Sequence, residues 1–71
     1  MNIDEKMNLI KTLTDLSGQM IVNKLEGKEN NETLSKAKEI ANKLSKEGIG
    51  DFDFTSDEKF EESLNNFLEV V

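Results

Sequence analysis

The apolar residues of this chain recur at helical spacing in three segments, which are separated by short polar stretches. In the first segment, residues 3–26, one apolar set is spaced four, three and four residues apart, which places it on one face of a helix. Gly18 lies inside this segment, and because the stripe crosses it in phase, one helix is favoured over two shorter ones. This first stripe consists of Leu9, Leu13, Leu16 and Met20.

A second apolar stripe lies on the same segment, about 100° or more around the helix from the first. In a small bundle these residues either contact the third helix or stay outside the core. If they stay outside, they predict a seam between two copies of the chain, so the pattern leaves a homodimer open. The second stripe consists of Ile3, Met7, Ile10, Ile21 and Leu25.

The second segment predicts a helix over residues 32–46, with Asn31 as its N-cap. Gly48 follows at the position where a left-handed residue commonly ends a helix. Two alanines on its apolar face allow a close approach to a neighbouring helix, as a compact bundle requires. The apolar face consists of Leu34, Ala37, Ile40, Ala41 and Leu44.

The third segment predicts a helix over residues 56–70. The sequence "TSDE" has the pattern of a capping box, with Thr55 as N-cap and Glu58 three residues later. Together the segments predict a single all-α domain, a small three-helix bundle over residues 1–71. The apolar face of the third helix consists of Phe60, Leu64, Phe67, Leu68 and Val71.

The sequence "DFDF" precedes the third helix. A strand here would have no partner strand and would contribute little stability. We expect Phe52 and Phe54 to close the open end of the bundle, with contact to a partner protein as the alternative.

Negative charge is concentrated at the C-terminal end of the chain. Residues 1–30 carry a net charge of −1 and residues 31–50 carry +1, whereas residues 51–71, with seven acids and one lysine, carry −6. Such a protein is expected to avoid nucleic acid and anionic membranes. If electrostatics select its partner, that partner is a protein with a basic surface.

The composition narrows the class of protein. Cys and His are absent, so disulfides and zinc sites are excluded as supports for the fold. No secretory signal opens the chain, and no stretch approaches the roughly 18 apolar residues of a membrane span. We expect a cytoplasmic protein, and the Lys-rich, Arg-free composition is typical of a bacterial or phage protein from an AT-rich genome.

Candidate catalytic chemistry is sparse. Asp51, Asp53 and Thr55 spell D-x-D-x-T, a pattern of aspartyl phosphatases, but that chemistry needs a buried strand and a large α/β domain, neither of which fits this chain. No serine or threonine has a histidine to activate it. We therefore predict a non-enzymatic protein with no catalytic residues and no cofactor.

The acids of residues 51–62 also fit part of an EF-hand-like calcium loop, since oxygen-bearing side chains fall at positions 1, 3, 5, 7 and 12. Ser56 stands where that loop needs glycine, and Lys59 brings a like charge to the ion. The simpler interpretation is that these acids solvate a loop and favour a helix start. No metal site is predicted, and a weak calcium loop remains an alternative.

The outer face of the third helix carries acids that local rules disfavour. Glu58 and Glu62 are like charges one turn apart, and Glu69 lies near the negative end of the helix. Local rules broken without compensation indicate a functional site. The predicted partner-binding residues are Glu58, Glu62, Asn65, Glu69, Asp51 and Asp53.

Two other acids, Asp57 and Glu61, flank the apolar face and are expected to reach Lys36 or Lys43. The sequence thus predicts a small acidic inhibitor or adaptor that docks on a basic protein surface. Carboxylates about 6 Å apart along a helix also make mimicry of a nucleic-acid backbone an alternative. In the simplest interpretation, the charge only keeps the protein soluble.

Overall fold

The computed structural model describes residues 2–71 and contains three helices, α1 (Ile3–Glu26), α2 (Asn31–Lys46) and α3 (Asp57–Val70). No strand occurs within this range. The prediction of a small all-α, three-helix bundle is confirmed. α2 begins one residue earlier than expected and α3 one residue later.

α1 is capped at both ends by its own sequence. The side chain of Asn2 accepts a hydrogen bond from the N–H of Glu5 at 2.8 Å, and Gly27, with a φ of 73°, ends the helix in the left-handed conformation. The helix continues unbroken through Gly18, as the phase of the first stripe indicated.

The side chain of Asn30, the residue before α2, ties the start of α2 to α1. Asn31 is the first residue of α2 and not its cap, so that prediction is wrong. The Asn30 amide nitrogen donates to the Met20 carbonyl at 3.2 Å, and its oxygen accepts from Asn23 at 2.9 Å. Because Asn30 immediately precedes α2 and both of its partners lie on α1, these bonds fix the start of α2 against α1.

The cap of α3 also differs from the prediction. Ser56, and not Thr55, accepts a hydrogen bond from the N–H of Lys59, at 3.2 Å. Asp53 accepts from both the N–H and the hydroxyl of Thr55. This local bonding removes Thr55 from the cap position and moves the helix start to Asp57.

α3 is antiparallel to α1 and therefore parallel to α2. Lys24 of α1 lies beside Glu61 near the start of α3, and Ser17 lies beside Asn65 one turn later. Residues 47–56 consequently return along the bundle before α3 begins. The contact between α1 and α2 is much more extensive than the contact between α1 and α3.

The core combines the first stripe of α1, the apolar face of α2 and three residues of the C-terminal third, Phe52, Phe60 and Leu64. The second stripe lies largely outside it: Ile3 is 71% exposed, Met7 62%, Ile21 56% and Leu25 84%. Ile10 alone packs partly against the core. The buried apolar residues are Leu13, Leu16, Met20, Leu34, Ala37, Ala41, Leu44, Phe52, Phe60 and Leu64.

The aromatic rings close one side of the bundle. Phe52 is buried, and its ring centroid lies 5.0 Å from that of Phe67 and 6.2 Å from that of Phe60. Phe54 stacks on Phe60 at 5.4 Å but remains 44% exposed. Phe52 is therefore a core residue, as expected, while Phe54 covers Phe60 from the solvent side.

Candidate functional site

Asp57 and Glu61, the acids that flank the apolar face of α3, are each paired with a lysine of another helix. Lys38 of α2 donates to Asp57, and a lysine of α1 pairs with Glu61. The expected partners, Lys36 and Lys43, make neither pair, so that prediction is wrong. The cause is the position of α3, which starts beside the middle of α2 and faces α1 one turn later.

The ion pair of Glu61 lies at the groove between α1 and α3. Lys24 Nζ is 2.7 Å from Glu61 Oε2, with the side chain of Glu61 19% exposed and that of Lys24 60% exposed. A pair with one partner in water contributes less than about 1 kcal/mol. It orients α3 on α1 more than it stabilises the fold. The groove is lined by Ser17, Met20, Ile21, Lys24, Glu61 and Asn65.

Glu58, Glu62 and Glu69 form what we call the acidic ridge of α3. All three side chains are exposed. Within residues 2–71, no lysine lies within 4 Å of any of their carboxylates. Glu58 and Glu62 thus stand one helical turn apart, as the periodicity predicted, with no lysine at ion-pair distance.

Asn65, which the sequence placed with these acids, lies at the edge of the ridge that faces α1. Its side-chain oxygen accepts a long hydrogen bond, 3.5 Å, from the Ser17 hydroxyl. The contact is weak at this length, so the amide stays largely in water. Asn65 therefore joins the ridge to the groove and is not an isolated ridge residue.

Asp53 is committed to the loop before α3. Its carboxylate accepts from the Thr55 hydroxyl and, at 2.9 Å, from the Thr55 N–H. These two bonds, with a smaller contribution from Lys59, hold the pKa of the Asp53 carboxyl below its ordinary value, against a desolvation effect that raises it. Asp51 is exposed on the same segment.

The acids of residues 51–62 do not gather around one point. The part of the chain that the structure describes holds no group of three or more acidic side chains that could bind a metal ion. Asp57 is paired with α2, and Lys59 lines the same shallow groove as Asp53 and Glu62. This geometry gives the calcium-loop alternative no support.

Ser63 is a residue that the sequence analysis did not single out. Its hydroxyl accepts from the N–H of Asp53 at 3.0 Å and donates to the Phe60 carbonyl at 2.8 Å. These bonds fix the segment that carries Asp51 and Asp53 against α3. The only sequence signal was a small polar residue at the edge of an apolar helix face.

Two further findings bear on what this surface contacts. None of the helices in residues 2–71 combines the length and the apolarity that crossing a membrane requires. Comparisons with family models, curated proteins and solved structures find no match to this chain.

Proposed function

We propose that the protein is a non-enzymatic binding module, acting as an inhibitor or adaptor, whose acidic ridge docks on the basic surface of another protein. One contrast within α3 supports this proposal. Asp57 and Glu61 are paired with lysines of the bundle, whereas Glu58, Glu62 and Glu69 have no lysine within 4 Å in the described residues. The ridge thus offers unpaired anions on a regular scaffold.

Charge complementarity mainly raises association rates and selects partners. The ridge lies in the region, residues 51–71, that holds a net charge of −6, while the rest of the chain is neutral in sum. Asp51 and Asp53 extend the surface on the side of α3 opposite α1. Asp53 is less available to a partner than the ridge, because its carboxylate already accepts two hydrogen bonds from Thr55.

The nature of the side chains supports binding over catalysis. The chain lacks His and Cys, and the ridge carboxylates stand in water. General acid–base catalysis needs a positioned group whose pKa is tuned by burial or by neighbours. Exposed carboxylates in a row are better suited to contact lysine and arginine side chains of a partner.

The test is affinity capture from the native host with three forms of the protein. The ridge variant carries Glu58→Gln, Glu62→Gln and Glu69→Gln. The matched control carries Glu29→Gln, Glu32→Gln and Glu39→Gln, which removes the same number of charges from exposed positions outside α3. We expect the wild type and the control to capture the same basic protein, and the ridge variant to lose it.

Equal capture by the ridge variant, with its helicity intact, would contradict the proposal. Zero-length cross-linking of carboxylates to amines then maps the contact. A link from Glu58 or Glu62 to a lysine of the captured protein is the expected product. If that lysine belongs to a nucleic-acid-binding surface, the mimicry version of the proposal is supported.

A further inference from the structure

The exposed face of α1 is symmetric about Thr14. Its residues are separated by 4, 3, 4, 4, 3 and 4 positions, a spacing that reads the same in both directions. Residue n on one side of Thr14 is therefore matched by residue 28 − n on the other. The positions are Ile3, Met7, Ile10, Thr14, Gly18, Ile21 and Leu25.

The bundle leaves most of this face uncovered, since only Ile10 packs partly against the core. α3 approaches α1 on the neighbouring flank, through Ser17 and Lys24, and reaches the symmetric face only at Ile21, which borders the groove. Ile3 and Leu25, at the two ends of the face, are 71% and 84% exposed. Four large apolar side chains exposed along one face of a 24-residue helix, two towards each end, mark an interaction surface.

Packing within one chain does not explain why residue 18 is a glycine. It lies exposed in the interior of α1, where glycine is less favourable than alanine, and a Cβ added to it would meet no atom within 4 Å. A helix surface without a Cβ does allow a second helix to approach closely. The position that corresponds to Gly18 across Thr14 is Ile10. A large side chain therefore corresponds to the position that has none.

Thr14, at the centre, is suited to burial. Its hydroxyl donates to the Ile10 carbonyl at 2.9 Å, so the polar group already has a partner within the helix. Burying a hydroxyl that is hydrogen-bonded avoids most of the desolvation penalty. Thr14 is also small enough for two copies to meet at one point.

We propose that a second copy of this chain covers the face, with the two α1 helices antiparallel about a two-fold axis at Thr14. Ile3 of one copy then lies level with Leu25 of the other, Met7 with Ile21, and Ile10 with Gly18. A two-fold interface joins one patch to itself, so its pattern has to be self-complementary. The spacing is compatible with this requirement, as is that of any helix face spaced by three and four residues, so the choice of a second copy rests on the match of side chains and on charge.

Charge favours the same arrangement. Lys6 and Lys24 are 18 residues, or about five full turns, apart and so lie on the same flank of α1, the flank where α3 packs. Equivalent flanks adjoin in an antiparallel pair, which brings Lys6 of the second copy level with Val22. The start of α3 lies on this flank, beside Lys24. Glu58 in that first turn has no lysine within 4 Å in the described chain, and Lys6 has no carboxylate within that distance.

Sedimentation measures the mass, and a substitution locates the surface. At hundreds of micromolar we expect twice the 8.0 kDa chain mass, and Ile21→Glu restores the mass of one chain. Val22→Glu is the matched control, because Val22 is 50% exposed, close to the 56% of Ile21, but lies off the stripe. It leaves the dimer in place. Leu25→Glu replaces Ile21→Glu if that variant does not fold.

Single cysteines test the register, since the chain has none of its own. Under oxidation by copper phenanthroline, Thr14→Cys links to itself. Met7→Cys does not, because two Met7 positions lie about 21 Å apart in the antiparallel pair, beyond the reach of a disulfide. A mixture of Met7→Cys and Ile21→Cys gives the mixed dimer.

Three results would overturn the inference. A wild type that remains one chain at hundreds of micromolar leaves the face to another occupant, such as a basic amphipathic helix of a different protein. A dimer that tolerates both Ile21→Glu and Leu25→Glu uses a different surface. Self-linking of Met7→Cys shows a parallel pair and contradicts the two-fold axis at Thr14.

Discussion

The ring of Phe52 lies against the backbone of Gly50, so closely that a Cβ on Gly50 would approach Phe52 Cε2 to 2.5 Å. Gly50 also has a φ of 83°, in the region that favours glycine. The chain therefore turns here and directs Phe52 into the core within two residues. This contact fixes the beginning of the segment that leads to α3.

Gly50→Ala should lower the free energy of unfolding by about 2 kcal/mol or more, because left-handed strain and a steric clash with Phe52 add together. Gly48→Ala is the control: Gly48 has a φ of 75°, but a Cβ there meets no atom within 4 Å. Urea unfolding followed by circular dichroism at 222 nm compares the two. Equal losses would contradict the contact with Phe52.

Leu64→Ala should destabilise the protein by about 3 kcal/mol, because Leu64 is fully buried and the change leaves a cavity in the core. That loss is a large part of the total for a domain of this size. Val70→Ala, on the same helix but 84% exposed, should change stability by less than about 0.5 kcal/mol. Thermal unfolding checks both, and similar melting temperatures would show that α3 is not docked as described.

The Asp53 carboxyl should contribute stability that depends on pH. Its pKa is lowered in the folded protein, chiefly by the Thr55 hydroxyl, so the contribution is present above its unfolded pKa of about 3.9 and is lost as pH falls through the lower folded value. Asp53→Asn should therefore destabilise the protein at pH 7 and approach the wild type in acid. Unfolding curves between pH 7 and pH 2 measure this gap.

Asp51→Asn is the matched control for that experiment. It removes the same charge two residues away without touching the bonds to Thr55. If the two variants follow the same course with pH, the bonds between Asp53 and Thr55 do not stabilise the fold.

The two ends of α3 should respond oppositely to loss of a negative charge. Glu69 lies in the last turn, where the helix dipole disfavours an anion, so Glu69→Gln should raise the free energy of unfolding by about 0.5 kcal/mol. Asp57 lies in the first turn and pairs with Lys38, so Asp57→Asn should lower it by a similar amount or more. Urea unfolding at low and at 1 M salt measures both effects, which should shrink in salt. A stabilising Asp57→Asn would contradict the pairing.

The helices could be predicted because their apolar spacing leaves few alternatives. Leu13 and Met20 lie on one face only if α1 is continuous through Gly18, and it is. The caps were harder to predict, because a Ser, Thr, Asn or Asp side chain has several possible hydrogen-bond partners in the nearby backbone. Asp53 engages Thr55 and leaves the cap to Ser56, an outcome that depends on how the loop is fixed by Ser63.

For the candidate site, only part of the geometry could be predicted from the sequence. The outward direction of Glu58 and Glu62 follows from helical periodicity. The lysines that pair with Asp57 and Glu61 do not follow from it, because they depend on where residues 47–56 place the start of α3. Periodicity describes each helix separately and carries no information on this placement.

All four aromatic residues of the chain are phenylalanines, and they form one cluster within residues 52–67. With no tryptophan or tyrosine, the near-ultraviolet dichroism of this protein originates entirely from that cluster. It reports on the C-terminal third alone, whereas amide signals report on all three helices. Loss of the near-ultraviolet signal at a lower temperature than the amide signal would show α3 leaving before the antiparallel pair of α1 and α2 comes apart.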